Sequence, residues 1–163
     1  MMHEITPFLW FDSEAEEAAN FYVRIFPNSS VGKISRYDEA TAERVGRPPG
    51  SALTVEFTLN GKPFVGLNGG PMFKFTEAVS FAIRCRDQAE VDQYWKRLTA
   101  DGGEESMCGW LKDKYGLSWQ VVPEQLIEIN NEGGERARRA MSAVMTMRRI
   151  DIAVVLAAAE DEG

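Results

Sequence analysis

Histidine is almost missing from this chain: His3 stands alone among 163 residues. Cysteine is nearly as scarce, with Cys85 and Cys108 the two present. These shortages exclude whole classes of chemistry. A His-rich transition-metal cage needs several imidazoles, and a Cys–His nucleophile pair would have His3 alone to draw on. A disulfide scaffold needs more cysteines, and in a reducing compartment two thiols stay thiols. Cys85 falls on the apolar parity of a strand pattern and reads as a small buried hydrophobe. Cys108 precedes Gly109–Trp110 and could border a cavity, but no imidazole lies nearby to activate it. Positive charge is also in deficit: 18 Lys and Arg face 25 Asp and Glu, for a net charge of −7. That sign is wrong for a nucleic-acid surface. Arg136, Arg138, Arg139, Arg148 and Arg149 cluster near the end, but acidic neighbours make them a solvated helix face. No apolar run approaches the roughly 20 residues of a membrane span, and Met1–Trp10 lacks a secretory-signal layout. A cytoplasmic protein without nucleic-acid or membrane partners is expected.

Several motifs are missing too. There is no HExxH, CxxC or Gly–x–Ser–x–Gly, and no Gly-rich fingerprint for a dinucleotide or methyl donor. Asn68–Gly69–Gly70–Pro71 lacks the Lys–Ser/Thr ending of a phosphate loop and reads as a turn. Lys74, between Phe73 and Phe75, could meet an anionic ligand at a cavity mouth.

What is present is one pattern written twice. Ile5–Phe11 reads as a strand, Ser13 with Glu16 as a capping box, and Ala15, Ala18, Ala19, Tyr22, Ile25 and Phe26 as an apolar helical stripe. Strands follow at about Val31–Tyr37, Leu53–Leu59 and Phe64–Leu67, the last two joined by the hairpin dipeptide Asn60–Gly61. Between the first two lies Asp38–Gly50, read as a long mobile loop that could close over a pocket. The order then recurs. Val79–Cys85 is a strand, Asp87 with Glu90 caps a helix carrying Val91, Tyr94, Trp95 and Leu98, and Asp101–Gly102–Gly103 ends it. Short strands follow around Glu105–Met107, Gly109–Lys112 and Leu117–Val122. The remainder is helical, with one helix across Glu132–Met147 and another over Ile152–Glu160. It would pack on its own domain or on a second subunit.

Parity selects candidate site residues. Leu53, Val55, Phe57 and Leu59 alternate with Thr54, Glu56 and Thr58, so one set packs under a helix and the other faces away. Glu56 is then a candidate base or hydrogen-bond acceptor, its bland alternative being a solvated carboxylate. On the later strand Leu117, Trp119 and Val121 form the apolar set, and Ser118 and Gln120 face away with Val122.

LWFDSEAEEAANFY (9–22), LNGGPMFKFTEAVSF (67–81) and CGWLKDKYGLSWQVVP (108–123) closely resemble the PhnB-like group. Its members are labelled demethylubiquinone methyltransferase-like and belong to the glyoxalase, bleomycin-resistance and extradiol-dioxygenase superfamily, the vicinal oxygen chelate proteins. The resemblance extends over nearly the whole chain, tail included. It implies an α+β fold of two βαβββ modules, about 1–70 and 76–123, within a single domain. Each module forms a curved mixed sheet with its helix on the outer face, and a helical tail covers about 124–163. A homodimer with cup-shaped pockets is implied as well. Metal-using members take ligands from first and last strands; carried over, those positions fall at Pro7, Glu56, Phe81 and Gln120. Pro7 and Phe81 offer no donor and His3 is out of step, so no metal and no cofactor is expected. Three functional classes stay open. One is a pocket protein for a small organic molecule, with Glu56, Thr58, Ser118 and Gln120 as polar contacts and Phe81 and Trp110 as apolar walls. The second is an enzyme of glyoxalase, dioxygenase or methyltransferase type with Glu56 as acid or base. The third is a structural interaction module working through its tail.

Overall fold

Alternating and helical hydrophobic patterns sort the chain into two compact units, Met1–Lys74 and Phe75–Gly163. A computed structural model describes residues 5–161. His3 lies outside the described residues. The first unit runs β1 (Phe8–Phe11), α1 (Ala15–Ile25), β2 (Ser30–Arg36), α2 (Glu39–Val45), β3 (Ala52–Leu59) and β4 (Lys62–Asn68). Its strands lie in the order β1-β4-β3-β2, with β1 parallel to β4 and the other pairs antiparallel.

The parity of β3 holds. Val55, Phe57 and Leu59 are buried, while Glu56 between them is exposed. The helical stripe of α1 supplies Ala15, Ala18, Ala19, Tyr22 and Ile25 to the same core. Tyr22 stacks on Phe57 at 6.2 Å between ring centroids, and Phe57 on Phe64 at 5.5 Å. Burying each such ring contributes roughly 1.5–3 kcal/mol, which outweighs any local propensity. The hairpin at Asn60–Gly61 forms as its residues require, both with positive φ (47° and 74°).

Two local expectations are overturned in this unit. The Ser13–Glu16 capping box does not form. Glu14 occupies the N-cap position with no side-chain cap, and the Ala15 amide instead donates to Asn68 Oδ1 at 2.8 Å. Asn68, buried at the end of β4, also donates from Nδ2 to the Ala52 carbonyl at 3.0 Å, and its own carbonyl accepts from Tyr37 Oη at 2.8 Å. A residue 53 positions away has taken the cap's place. Asp38–Gly50 is no plain loop either, because it contains α2. Asp38 accepts from the Thr41 amide at 2.7 Å, and Gly46 closes the helix in the left-handed region at φ 69°. Arg47 then hydrogen-bonds to Asp12 Oδ1 at 2.8 Å.

The second unit repeats the first: β5 (Ser80–Cys85), α3 (Gln88–Leu98), β6 (Glu104–Glu105), β7 (Trp110–Lys112) and β8 (Ser118–Pro123), in the order β5-β8-β7-β6. Again the first and last strands are parallel and the rest antiparallel. Here the capping prediction holds, since Asp87 Oδ1 accepts from the Glu90 amide at 2.9 Å. The tight turn before β8 closes on Asp113, a buried carboxylate. It accepts from the amides of Tyr115 (2.9 Å) and Leu117 (3.1 Å) and from Trp119 Nε1 (2.9 Å).

The helix expected across Glu132–Met147 forms from Gly134 to Val144. Gly133 and Gly134, at φ 74° and 72°, separate α4 (Glu124–Glu132) from α5 (Gly134–Val144), and α6 (Ile152–Glu160) follows. Leu126, Ile129, Ala140, Val144, Ile150, Val155 and Ala159 form one buried cluster. The amides of Cys108 and Gly109 donate to the carbonyls of Met147 (2.7 Å) and Arg148 (2.8 Å). Gln88 Nε2 donates to the Ile150 carbonyl at 3.1 Å and its Oε1 accepts from the Ile152 amide at 2.9 Å. The tail therefore packs on its own unit.

Cys85 is fully buried. Burial, with Glu90, Asp87 and Glu124 adding negative potential, pushes its thiol from 9.0 up to about 12. A folded value above the unfolded one means stability is intact below pH 9 and declines as pH rises from 9 toward 12. In native protein at pH 8, iodoacetamide is expected to spare Cys85 until the chain is unfolded, and Cys85→Ala is expected to flatten the alkaline decline. Mass spectrometry of labelled peptides and pH-dependent melting measure the two effects.

Candidate functional site

A strand's two faces are fixed once its register is known, so each sheet has one face under a helix and one left open. In the first sheet Glu56 pairs with Val65 and Thr58 with Pro63, and Val65 pairs with Phe8. The open face thus carries Glu56, Thr54 and Thr58 beside Pro63, Val65, Leu67, Phe8 and Trp10. Between Val31 and Ile34 the register of β2 slips, leaving a bulge at Gly32. A Cβ on Gly32 would sit 3.3 Å from the Glu56 carbonyl oxygen, so glycine lets the backbones approach. A crevice of about 280 Å³ forms here, lined among others by Thr6, Ser30, Glu56, Thr58, Pro63 and Val65. Ser30 and Thr58 share a hydroxyl contact of 3.2 Å. The exposed Glu56 carboxylate makes no hydrogen bond or ion pair among the described residues.

In the second sheet Gln120 pairs with Ala82 on one side and Trp110 on the other, while Ser118 pairs with Ser80 and Lys112. Register therefore brings Gln120, Ser118 and Trp110 to the face away from α3, where Val122 packs against the buried cluster of the tail. Gln120 Nε2 donates to Ser80 Oγ at 2.9 Å. Ser118 is 1% exposed and its hydroxyl has no hydrogen-bond partner among the described residues. Lys112 is paired with Glu77, which holds the Glu77 carboxyl below its ordinary range through the hydrogen bond and charge of that lysine.

Phe81 does not join this face. It pairs with Trp119, so it shares the helix-covered side, with ring centroids 5.7 Å apart. The expectation of Phe81 as a wall beside Gln120 is corrected by the parallel register of β5 on β8, which offsets Phe81 by one residue from the needed parity.

The positions carried over for metal ligation fare no better. Pro7 has no donor. Glu56 lies on β3, the third strand of its unit; the last strand is β4, whose open-face residues Pro63, Val65 and Leu67 also have none. Among the described residues no group of three or more His, Cys, Asp or Glu is placed to hold a metal ion. One carboxylate in one unit and one amide in the other fall short of the three protein ligands a catalytic metal takes. Sequence reasoning missed Ser30, Gly32, Pro63, Val65, Ser80 and Ala82, because cross-strand neighbours follow from register and bulges rather than from spacing.

Comparison with known proteins agrees with this architecture. The family model described as 3-demethylubiquinone-9 3-methyltransferase matches residues 3–122. A PhnB protein from Bacillus cereus is 37% identical, with a TM-score of 0.66, over 74% of this chain and 99% of that one. Protein PA1353 from Pseudomonas aeruginosa is 15% identical with a TM-score of 0.58, over 75% and 98% of the two chains. A fosfomycin resistance protein from Listeria monocytogenes is 16% identical with a TM-score of 0.50, over 85% and 98%. These last two share the fold alone. No curated protein matches. The family match spans residues 3–122 and leaves the tail, which the sequence reading includes in the resemblance, outside it. Two mixed sheets of identical strand order, a specific family match over both and a 37% identical relative lead to one assignment: this chain belongs to the PhnB-like, 3-demethylubiquinone-9 3-methyltransferase family.

Proposed function

We propose that this protein binds a small organic molecule on the open face of its first sheet, without a metal. The observation that carries the reading is the unpartnered Glu56 carboxylate at a crevice of about 280 Å³. Ligand pockets are mostly apolar walls with a few placed polar groups. Pro63 and Val65 provide the first, and Glu56, Thr58 and Ser30 the second. A carboxylate facing such a crevice favours a ligand that brings a hydrogen-bond donor or a positive charge. Thermal-shift screening against a metabolite panel tests this, because a molecule that binds the native state alone raises the melting temperature. Glu56→Gln is expected to weaken the best hit by about tenfold, since hydrogen bonds to charged groups are roughly twice as strong as neutral ones. Folding should be unaffected at this exposed position. A panel that shifts nothing, or a Glu56→Gln protein that binds equally well, overturns the proposal.

The family's description favours a second reading, an enzyme with Glu56 moving a proton. Under it, turnover vanishes in Glu56→Gln while circular dichroism stays unchanged. If methyl transfer is the reaction, S-adenosylmethionine must bind, and titration calorimetry decides that directly. Assembly as a homodimer belongs to either reading, and sedimentation velocity measures it. Among the described residues no helix is long and apolar enough to cross a membrane.

A further inference from the structure

We propose that α6 is a self-association surface, pairing antiparallel with α6 of a second copy of this chain about a two-fold axis. This inference does not depend on the reading of Glu56. Glu160 is the one polar residue of the nine in α6. A helix that is apolar on all sides is ordinarily buried on all sides. The inner face of α6 is, with Val155 and Ala159 in the buried cluster of the tail. The outer face is not. Ala153, Val154, Leu156 and Ala157 are exposed, Val154 to 48%, and contiguous exposed apolar side chains mark a surface that meets a partner. The helix also lies outside residues 3–122 of the family match, so this surface is separate from any that the shared fold provides.

Charge and shape select the reversed copy as the occupant. Asp151, Val154, Ala158 and Asp161 recur at helical spacing and share one flank of α6. Beside that flank a groove of about 460 Å³ runs between α5 and α6, lined by Ala143 and Ala158 together with Arg138, Arg139 and Asp161. An axis crossing the helices at Leu156, the middle residue, sets Val154 of each copy level with Ala158 of the other, at the groove. The same axis sets Asp151, the N-cap of α6, level with Asp161. The two arginines then stand between Asp161 of their own copy and Asp151 of the other. Arg139 uses Nε and Nη2 on the carbonyls of Ala158 (3.3 Å) and Ala159 (2.6 Å), which leaves Nη1 to meet a carboxylate. A parallel pair would instead stack Glu160 and Asp161 on their own copies at one end and align the two helix dipoles. Nine residues span about 14 Å, too short to cover alone the roughly 800 Å² per partner of a standard interface. The association is therefore expected to be weak and concentration-dependent.

Sedimentation velocity on the full chain, over a concentration series, tests the surface. The parent is expected to gain mass with concentration. Val154→Glu is expected to weaken that step at least about tenfold, because a charge would be buried unpaired in the contact. Leu156→Glu, on the other flank of the exposed face, should act alike. Both positions are exposed, so unchanged circular dichroism separates lost pairing from lost folding. Cross-linking tests the orientation. Under mild oxidation a mixture of Val154→Cys and Ala158→Cys proteins should form a mixed disulfide faster than either protein links to itself, with the parent as the blank for Cys85 and Cys108. The proposal is overturned if the parent and Val154→Glu show the same mass at every concentration, or if Val154→Cys alone cross-links as fast as the mixture.

Discussion

Replacing Asn68 with alanine will destabilise the protein by about 2–4 kcal/mol. The estimate combines a lost helix cap, worth about 1 kcal/mol, with a buried amide and a buried carbonyl left unpaired at about 1–3 kcal/mol between them. The geometry makes the loss hard to repair. Asn68 is 5% exposed, and its amide group bonds to the first turn of α1 and to the start of β3 at once. Water has little access to either orphaned partner. Asn68→Asp separates the two halves of the effect. An aspartate still accepts from Ala15 N and favours the positive end of the helix, but it meets the Ala52 carbonyl with a lone pair instead of a donor. It should therefore remain destabilised, mainly through the β3 contact. Urea unfolding by circular dichroism measures both variants, and an unchanged midpoint in Asn68→Ala would refute the cap assignment.

The second large effect is expected at Asp113. Its carboxylate accepts from two backbone amides of the turn and from the Trp119 indole, in a site 2% exposed. Asp113→Ala unpairs all three donors and removes the group that folds the turn before β8. A loss of about 3–5 kcal/mol follows if the donors find no water, since hydrogen bonds to charged groups contribute about 1.5–3 kcal/mol each and are not additive. Asp113→Asn keeps the shape and one acceptor oxygen, so it should retain part of the stability. Tryptophan emission should move to longer wavelength in the alanine variant as Trp119 loosens. A variant that keeps both the parent midpoint and the parent emission would show that the turn holds itself.

Both residues illustrate why local signals were read unevenly. Ser13 and Glu16 have the spacing of a capping box, yet the cap comes from Asn68, across the unit. Asp87 and Glu90 have the same spacing and do cap α3. Nothing within either segment distinguishes the two; the difference lies in whether a buried polar side chain from β4 reaches the helix start first. The helix within Asp38–Gly50 was legible in principle, since Asp38 and Gly46 are ordinary cap residues. The polar composition and the Pro48–Pro49–Gly50 ending masked a short amphipathic turn. Phe81 shows the same limit for strands: alternation says that successive residues face apart, but only pairing with β8 says which face Phe81 takes.

Sequence alone determined the repeated element order, the apolar parity of the third strand and the short hairpin at Asn60–Gly61, because hydrophobic periodicity and turn chemistry act over a few residues. It also bounded the chemistry open to the chain, because one histidine and two cysteines cannot be rearranged into more. Tertiary structure decided which side chains become neighbours. The joining of Glu56 to Val65 and Pro63 and the burial of the Ser118 hydroxyl depend on strand register and a bulge. Those are set by how much apolar surface each pairing buries over the whole sheet, a sum that no single segment contains.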